Sequence, residues 1–426
     1  MYNLKMKYKF TFIQLTAASF VIAFLFLAFL ELMFFFFYPK SSDRLLDILR
    51  IIEQDSVLIW KQKPYLDTEF QNQAVKTNSI GFRSDEIKEK DKIRIISLGA
   101  SPTFGWGVRS EDTYPSVVGK ELKKHNIDSE SINAGEIGYS SYQGLLLLKN
   151  TVLNLKPDII TVSFVINDID KYRFFRSNSL RDSRLKPFPE AFVTVSNIMH
   201  KSSLFRAFYD MTSKFMSKKS KYYGKSFNNA YNENRRVSVE EYEYNLNAIA
   251  DIAQKNGIKV VFVVMPVNLP EKKTLLPSEK EYLKNAVAEA EKEIKNKDYK
   301  RAKRILDRLL YIDEYSPKVY YYLGIIADFE HKSKLADEMF EKAKNYEIFD
   351  CAAVSRQYNE IMRKVSLERN IPLCDSEKDF NEYKAGYLFV DPKKDCFHPN
   401  AEGHKLIAGR LSAVLLDNFF KDKAKI

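Results

Sequence analysis

Cysteine is scarce in this sequence. The 426 residues hold three, Cys351, Cys374 and Cys396, an odd number too small for a disulfide framework and without the paired spacing of a metal knuckle. One disulfide is the most they allow. Lys and Arg outnumber Asp and Glu by 67 to 56, a formal charge of +11, yet the signatures that would direct a basic balance toward nucleic acid are missing. There is no zinc spacing, no basic-region heptad and no glycine-aromatic strand motif. A solvated basic surface, an anionic envelope polymer or a membrane surface remain as readings of the charge. No metal, no cofactor and no nucleic-acid partner is expected.

What the sequence does have is one long apolar run at its start. No charged residue falls between Phe10 and Leu30, and after Glu31 the apolar character resumes through LMFFFFY to Tyr38. That is enough to cross a hydrocarbon core of about 30 Å as one helix. Lys5, Lys7 and Lys9 precede the run, which places the N-terminus in the cytoplasm and everything after Tyr38 outside. A cleaved signal peptide is the alternative. Against it stand the length of the run and the lack of a small-x-small cleavage site.

The rest of the chain is long enough for two to three units at roughly 150 residues each. The expected divisions are a cytoplasmic N-terminus (1–9), a transmembrane signal anchor (10–38), a polar juxtamembrane segment (39–90) and a catalytic domain in two parts (91–276 and 351–426). Strand-like runs at 93–99, 129–135, 158–165, 258–265 and 371–375 alternate with helical ones. Near-continuous apolar strands separated by helices predict an α/β fold, a central parallel sheet covered on both faces. Ligands in such sheets bind beyond the carboxyl ends of the strands, at the switch point.

Two insertions interrupt the alternation. The first, 169–236, carries Lys171, Arg173, Arg176, Arg181, Arg184 and Lys186, then Lys214, Lys218, Lys219, Lys221 and Lys225. It reads either as a basic lid beside the pocket or as a solvated excursion. The second, 277–350, repeats itself: Ala302, Leu306 and Leu309 recur 34 residues later as Ala336, Phe340 and Ala343. With Tyr320, Leu323 and Gly324 ahead of the second set, the pattern resembles tetratricopeptide units, whose period is 34. Two units need flanking helices or the main domain to cover their ends; a helical hairpin pair with accidental spacing is the alternative.

Four separated pieces of sequence converge on one residue. In ISLGASPTFGWG an apolar strand stops at Gly99, and Ser101 follows at once in a turn. In NAGEIGYSS, Gly138 lies on the loop beyond the second strand, and in FVINDID, Asn167 follows the third. In DCFHPNAEGH, Asp395 and His398 stand three apart, with Pro399 disfavouring helix at His398. A carboxylate placed so can hold an imidazole in one tautomer while the other ring nitrogen takes a serine proton. The surroundings of Ser101 do not match the G-x-S-x-G elbow of the α/β-hydrolases.

In this order the four blocks resemble the SGNH/GDSL hydrolase superfamily across residues 93–268 and 353–420. The resemblance implies a flavodoxin-like three-layer α/β/α sandwich, with Ser101 as nucleophile, His398 as general base and Asp395 as its orienting partner. It also implies an oxyanion hole of the Ser101 and Gly138 N–H groups and the Asn167 side-chain amide. Ala100 stands at the aspartate position of the Gly-Asp-Ser signature and Val165 at the glycine of Gly-x-Asn-Asp, two departures that bear on turn geometry. His404, His200, His331 and His125 lack comparable partners in the sequence and read as structural or surface residues.

The function implied is a serine esterase outside the cytoplasm, removing acyl groups such as acetyl from an envelope glycan or lipid. An O-acyltransferase with the same triad and a non-catalytic scaffold are the alternatives, the last disfavoured by the intact triad. The partners expected are the acylated substrate, the membrane through the N-terminal helix, and a protein or a second copy of the chain at the tetratricopeptide-like module.

Overall fold

A computed structural model describes residues 12–37, 44–169, 180–208, 211, 235–268, 276–383, 385–392 and 395–421. In chain order its helices are α1 (Phe12–Phe37), α2 (Arg44–Ile51), α3 (Ser101–Phe104), α4 (Tyr114–Lys124), α5 (Ser141–Asn150), α6 (Ile166–Ile169) and α7 (Glu190–Lys201). Then follow α8 (Val239–Lys255), α9 (Pro277–Lys295), α10 (Tyr299–Leu309), α11 (Pro317–Phe329), α12 (Ser333–Arg369), α13 (Ser376–Glu382) and α14 (Ala401–Phe419). The strands are β1 (Ile52–Asp55), β2 (Ile59–Gln62), β3 (Asp67–Phe70), β4 (Gln73–Lys76), β5 (Ile93–Gly99), β6 (Ser129–Gly135), β7 (Ile159–Ser163), β8 (Lys259–Val264) and β9 (Leu373–Asp375). Two units divide the chain: residues 1–56 with 188–224, and residues 57–187 with 225–426.

The first unit contains α1, α2, β1 and α7. Its 26-residue α1 is about 39 Å long at 1.5 Å per residue, and Gln14–Phe37 is long and apolar enough to cross a membrane. Lys5, Lys7 and Lys9 lie outside the described residues. The middle of the first insertion, residues 188–224, also belongs to this unit. Of its basic residues, Lys171, Arg173, Arg176, Lys214, Lys218, Lys219, Lys221 and Lys225 lie outside the described residues.

In the second unit five parallel strands pair in the order β6-β5-β7-β8-β9, with Ile96 opposite both Ile132 and Ile160. Side chains alternate across a sheet, so each apolar strand serves two cores. Ile95, Ile159, Val261 and Val263 pack with Val118 and Leu122 of α4 and with Ile407, Leu411 and Leu415 of α14. The alternate residues, Ile96, Leu98, Ile160, Val162 and Phe262, face the other layer, where α5, α8 and the last part of α12 contribute buried Leu148, Leu246, Ile249, Met362 and Val365. Each such side chain stabilises the fold by about 1.5–3 kcal/mol when fully buried. The result is a three-layer α/β/α sandwich. Its second strand in space, β5, is first among the five in sequence, and the direction in which successive strands are added reverses there, with β6 on one side of β5 and β7 on the other. That is the switch point, and the chain leaves it at Ser101 on one side and Asn167 on the other.

The segment read as juxtamembrane is different from that expectation over most of its length. From residue 57 onward it belongs to the second unit. Trp60, Phe70, Val75 and Phe82 are buried there, and β3 and β4 form an antiparallel hairpin through Gln71 and Asn72, both at positive φ as a two-residue hairpin turn requires.

The second insertion is helical throughout, from α9 to the first half of α12. Ala302, Leu306 and Leu309 of α10 are fully buried with Ala290, Val319 and Ile326, while Ala336 and Ala343 are buried on α12. Gly324 on α11 lets the Phe340 ring approach, for a Cβ there would stand 2.7 Å from it. The boundary expected at residue 350 falls inside α12, whose 37 residues run unbroken from the helical insertion into the sheet layer.

The short helix α3 sits directly on the sheet because two strands end in glycine. A Cβ at Gly99 would lie 2.9 Å from Ser163 O, and one at Gly135 would lie 2.2 Å from Phe104 N. Gly135→Ala must therefore push α3 off β6. We expect it to cost about 3 kcal/mol, the upper end for overpacking, read as a fall in the urea midpoint of the full chain in detergent. An unchanged midpoint would mean that α3 is not seated as described.

Candidate active site

Ser101 opens α3 and does not cap it. The N-cap is Ala100, which makes no side-chain cap bond. The Ser101 hydroxyl instead lies 2.8 Å from His398 Nε2. His398 Nδ1 lies 2.9 and 3.0 Å from the two carboxylate oxygens of Asp395. An ionised carboxylate only accepts, so Nδ1 carries the proton and Nε2 presents its lone pair to the Ser101 O–H. Burial raises the Asp395 carboxyl, but the His398 charge and hydrogen bond and the N–H groups of Phe397 and His398 outweigh it and hold the group below its ordinary value. The structure thus brings Asp395 and His398, 294 and 297 positions further along the chain, to the serine.

The loop carrying Asp395 is fixed by Asn268, whose Nδ2 donates to Pro392 O (2.9 Å) and Asp395 O (3.1 Å). Trp106 stacks on the His398 ring at 5.0 Å between centroids and is itself buttressed edge-on by Phe70 at 4.8 Å. His404, by contrast, is structural as expected. Its Nδ1 accepts from Tyr114 N at 3.0 Å, and burial drives its pKa down to about 3, so it stays neutral.

The Gly138 loop follows β6, the neighbour of β5, and its carbonyls are taken one after another. Gly135 O accepts from Gln62 Nε2 (2.6 Å), Ile137 O from the Trp60 indole (2.8 Å), Gly138 O from Arg236 Nη1 (2.7 Å) and Tyr139 O from Asn167 Nδ2 (3.1 Å). Glu136 O closes a turn with Tyr139 N at 3.3 Å. In a trans peptide the carbonyl of one residue and the N–H of the next point opposite ways. Trp60, by holding Ile137 O, therefore aims the Gly138 N–H away from the protein interior. Among the described residues, the N–H groups of Ser101 and Gly138 have no hydrogen-bond partner. Asn167 spends one amide N–H on Tyr139 O and keeps the second.

Arg236 is held in turn by Asp182, 3.0 Å away and fully buried, and by Gln143 Oε1; its guanidinium lies 5.4 Å over the Trp60 ring. Arg83, also buried, serves the turn after Ser101. It donates to Phe104 O, Gly105 O, Val108 O, Ala74 O and Ser110 Oγ at 2.7–3.2 Å. Desolvation lowers its pKa to about 10, which leaves it charged. Beside Ser101 a pocket is walled by Val165, Met265, Val267 and Phe397, with Asn359 of α12 in its lining. Asn359 Oδ1 is buried and has no partner among the described residues.

None of Trp60, Gln62, Arg83, Trp106, Asp182, Arg236 or Asn359 was singled out from sequence. The two tryptophans carried a usable signal: they are the only two in the chain, and both flank motif residues in space.

The class defined by this geometry is a three-layer α/β/α protein with a Ser-His-Asp relay at the carboxyl edge of its sheet. No protein-family model and no curated protein matches the chain. Among solved structures it is similar to an acetyl xylan esterase from Geobacillus stearothermophilus (10% identity over 76% of this chain and 95% of that one, TM-score 0.39). It is also similar to a lipase/acylhydrolase from Enterococcus faecalis (13%, 76% and 94%, TM-score 0.36) and to a GDSL-like lipase from Bacteroides thetaiotaomicron (14%, 78% and 91%, TM-score 0.33). At such identities and TM-scores no chemistry transfers from those proteins, and the functional reading rests on the side chains of this one.

Asp168, next to Asn167, anchors α5 by accepting from Ser141 Oγ (2.5 Å) and Ser141 N (2.9 Å). Burial raises its carboxyl from an ordinary 3.8 to about 7, against the Ser141 hydrogen bonds and Arg236 and with the help of Asp182. A raised carboxyl favours the fold only while protonated, so its contribution is complete below about pH 4 and lost as pH rises toward 7. Asp168→Asn keeps the acceptor and removes the titration. Relative to wild type its urea stability should improve by roughly 3 kcal/mol between pH 5 and pH 8, at 1.36 kcal/mol per pKa unit. A pH-independent difference would contradict the assignment.

Proposed function

We propose that the chain is a serine esterase of the SGNH/GDSL type, anchored by α1 and acting outside the cytoplasm on small acyl groups, such as acetyl, of an envelope glycan or lipid. The observation that carries the chemistry is the Ser101–His398–Asp395 relay beside two unengaged backbone N–H groups. In this reading Ser101 Oγ attacks the ester carbonyl carbon while His398 Nε2 takes its proton, and Asp395 stabilises the imidazolium that forms. The oxyanion is received by the Ser101 and Gly138 N–H groups and the free amide N–H of Asn167. The proton then passes to the leaving alkoxide, and water releases the acyl group by the same route in reverse.

Two features support a small acyl group with a polar remainder. Val165 places a branched side chain in the pocket wall where the resembled family has glycine, which narrows the space. Asn359 Oδ1 offers a buried acceptor that a substrate hydroxyl or amide N–H can satisfy, and a site built to hydrogen-bond such a group rejects analogues lacking it. Residues 277–350 are read as a tetratricopeptide-like module for a protein partner or a second copy, supported by the 34-residue spacing of residues buried on α10 and α12.

The full chain in detergent should hydrolyse p-nitrophenyl acetate. Ser101→Ala and His398→Ala should each remove nearly all of the rate, because members of a triad act as a unit. Asn167→Ala should lower kcat by roughly a hundredfold or more. A folded wild type inactive on every ester tried would move the assignment to the acyltransferase, and full activity in Ser101→Ala would end the serine mechanism. Trp60→Phe preserves most of the ring but frees Ile137 O. With the Gly138 N–H no longer aimed, kcat should fall about tenfold, as expected for loss of about 1.4 kcal/mol in the transition state, at nearly constant KM. A change confined to KM would assign Trp60 to substrate binding.

A further inference from the structure

Helix α7 is inverted for a helix in water. Its polar side chains turn toward the protein: Asn197 donates Nδ2 to Gln54 O (3.0 Å) and accepts from Gln54 N (2.9 Å) on β1, while Ser196 and His200 are half-buried. Its large apolar side chains turn out. Phe192, Val195, Ile198 and Met199 are 53%, 56%, 61% and 43% exposed, and their spacing places them on one side of the helix. Apolar residues singly exposed are ordinary; a contiguous outward row over an inward polar row needs an apolar partner.

The chain directly after α7 shows which partner. The carboxylate of Glu31, in the apolar helix α1, accepts from Ser202 Oγ (2.6 Å), Ser203 N (2.5 Å) and Leu204 N (3.0 Å). An ionisable group in a membrane helix is costly unless its polar atoms are met. These three donors meet them, and in doing so they fix residues 202–204 to α1 six residues, about 9 Å, from its end at Phe37. The exposed apolar row therefore begins within a few residues of a tie to the helix that is itself long enough to cross a membrane. Phe208 and Met211 continue it, 57% and 63% exposed, and the exposed cations Lys201 and Arg206 flank it.

We propose that α7, with Phe208 and Met211, forms a second membrane contact, lying in the interface with Phe192, Val195, Ile198 and Met199 among the acyl chains and Lys201 and Arg206 at lipid phosphates. A helix with one apolar face and flanking cations binds an interface in this way. Glu31 is the residue that couples it to the spanning helix. The inference rests on α1 crossing the bilayer, but not on the esterase chemistry.

The test uses the full chain reconstituted into vesicles of phosphatidylcholine and phosphatidylglycerol, with or without brominated acyl chains. Ile198→Trp is the probe and Phe24→Trp, in the middle of α1, reports the anchor; the emission of Trp60 and Trp106 is subtracted with the wild-type chain. The Ile198→Trp emission should be lost to brominated chains and protected from aqueous acrylamide, and Glu31→Ala should weaken that loss. Three results overturn the proposal. Quenching by acrylamide but not by bromine, with the Phe24→Trp probe quenched by bromine, places α7 in water. Protection from both quenchers assigns its face to a protein or a second copy. Failure of the Phe24→Trp probe to be quenched by bromine removes the anchor itself.

Discussion

The arrangement depends on a constraint at the Gly138 loop: a backbone N–H left without a protein partner and turned outward obliges the neighbouring carbonyl to face the protein. A buried carbonyl left without a donor costs about 1–3 kcal/mol, and this loop buries five in succession, from Gly135 to Tyr139. Regular secondary structure cannot satisfy them without also consuming the N–H groups. The chain instead brings side-chain donors from Gln62, Trp60, Arg236 and Asn167, with one turn bond for Glu136 O. These donors come from three distant places in the sequence, residues 60–62, 167 and 236. The fold around the loop is largely the means of assembling them, which accounts for the packing of residues 57–62 against it and for the full burial of Trp60.

The same logic governs the Ser101 side. The turn after Ser101 leaves three carbonyls, of Phe104, Gly105 and Val108, directed inward, and one guanidinium reaches all three. Arginine suits both positions because its rigid fork carries five donors and stays charged even after desolvation. The cost of burying that charge is met differently in the two cases. Arg236 has a buried counter-ion in Asp182, which also accepts from Ser140 Oγ at 2.6 Å. Arg83 is surrounded by carbonyl oxygens and lies 4.8 Å over the Phe104 ring, a set of partial negative charges in place of one whole one. An alanine at position 100 is tolerated since the turn is held from its far end by Arg83, and the first turn bond of α3, Phe104 N to Ala100 O at 3.0 Å, uses only backbone.

The sheet and the relay were legible in the sequence for a physical reason. Apolar runs such as IRIISLG and DIITVSFV are dictated by burial on both faces, Ser101, Gly138 and Asn167 each directly follow or stand on a loop beyond such a run, and Asp395 and His398 are marked by their spacing of three on a turn before Pro399. The supporting residues were not legible because nothing local marks them. Arg236 is one of many basic residues in its segment, Asp182 is an ordinary acidic one, and Trp60 lies in a polar stretch that reads as a linker. Their roles exist only once distant segments meet. The reading of 39–90 as juxtamembrane failed on the same ground: a segment made to satisfy another segment's carbonyls is polar, and its polarity mimics exposure. The helical insertion was legible in position but not in its far boundary, as a helix shared by two bodies has no break to read.

That shared helix bears on how the chain accommodates so large an insertion. Two parallel neighbours, β8 and β9, require a crossover that returns along the opposite layer. The last third of α12 is that crossover helix, packed on the sheet through Met362 and Val365. The insertion therefore extends an obligatory helix by several turns at its N-terminal end instead of hanging from two loops. A continuous helix is stiff along its axis, so residues at its two ends keep a fixed separation: Ala336 and Phe340 in the helical module, Ser355 and Asn359 in the pocket wall.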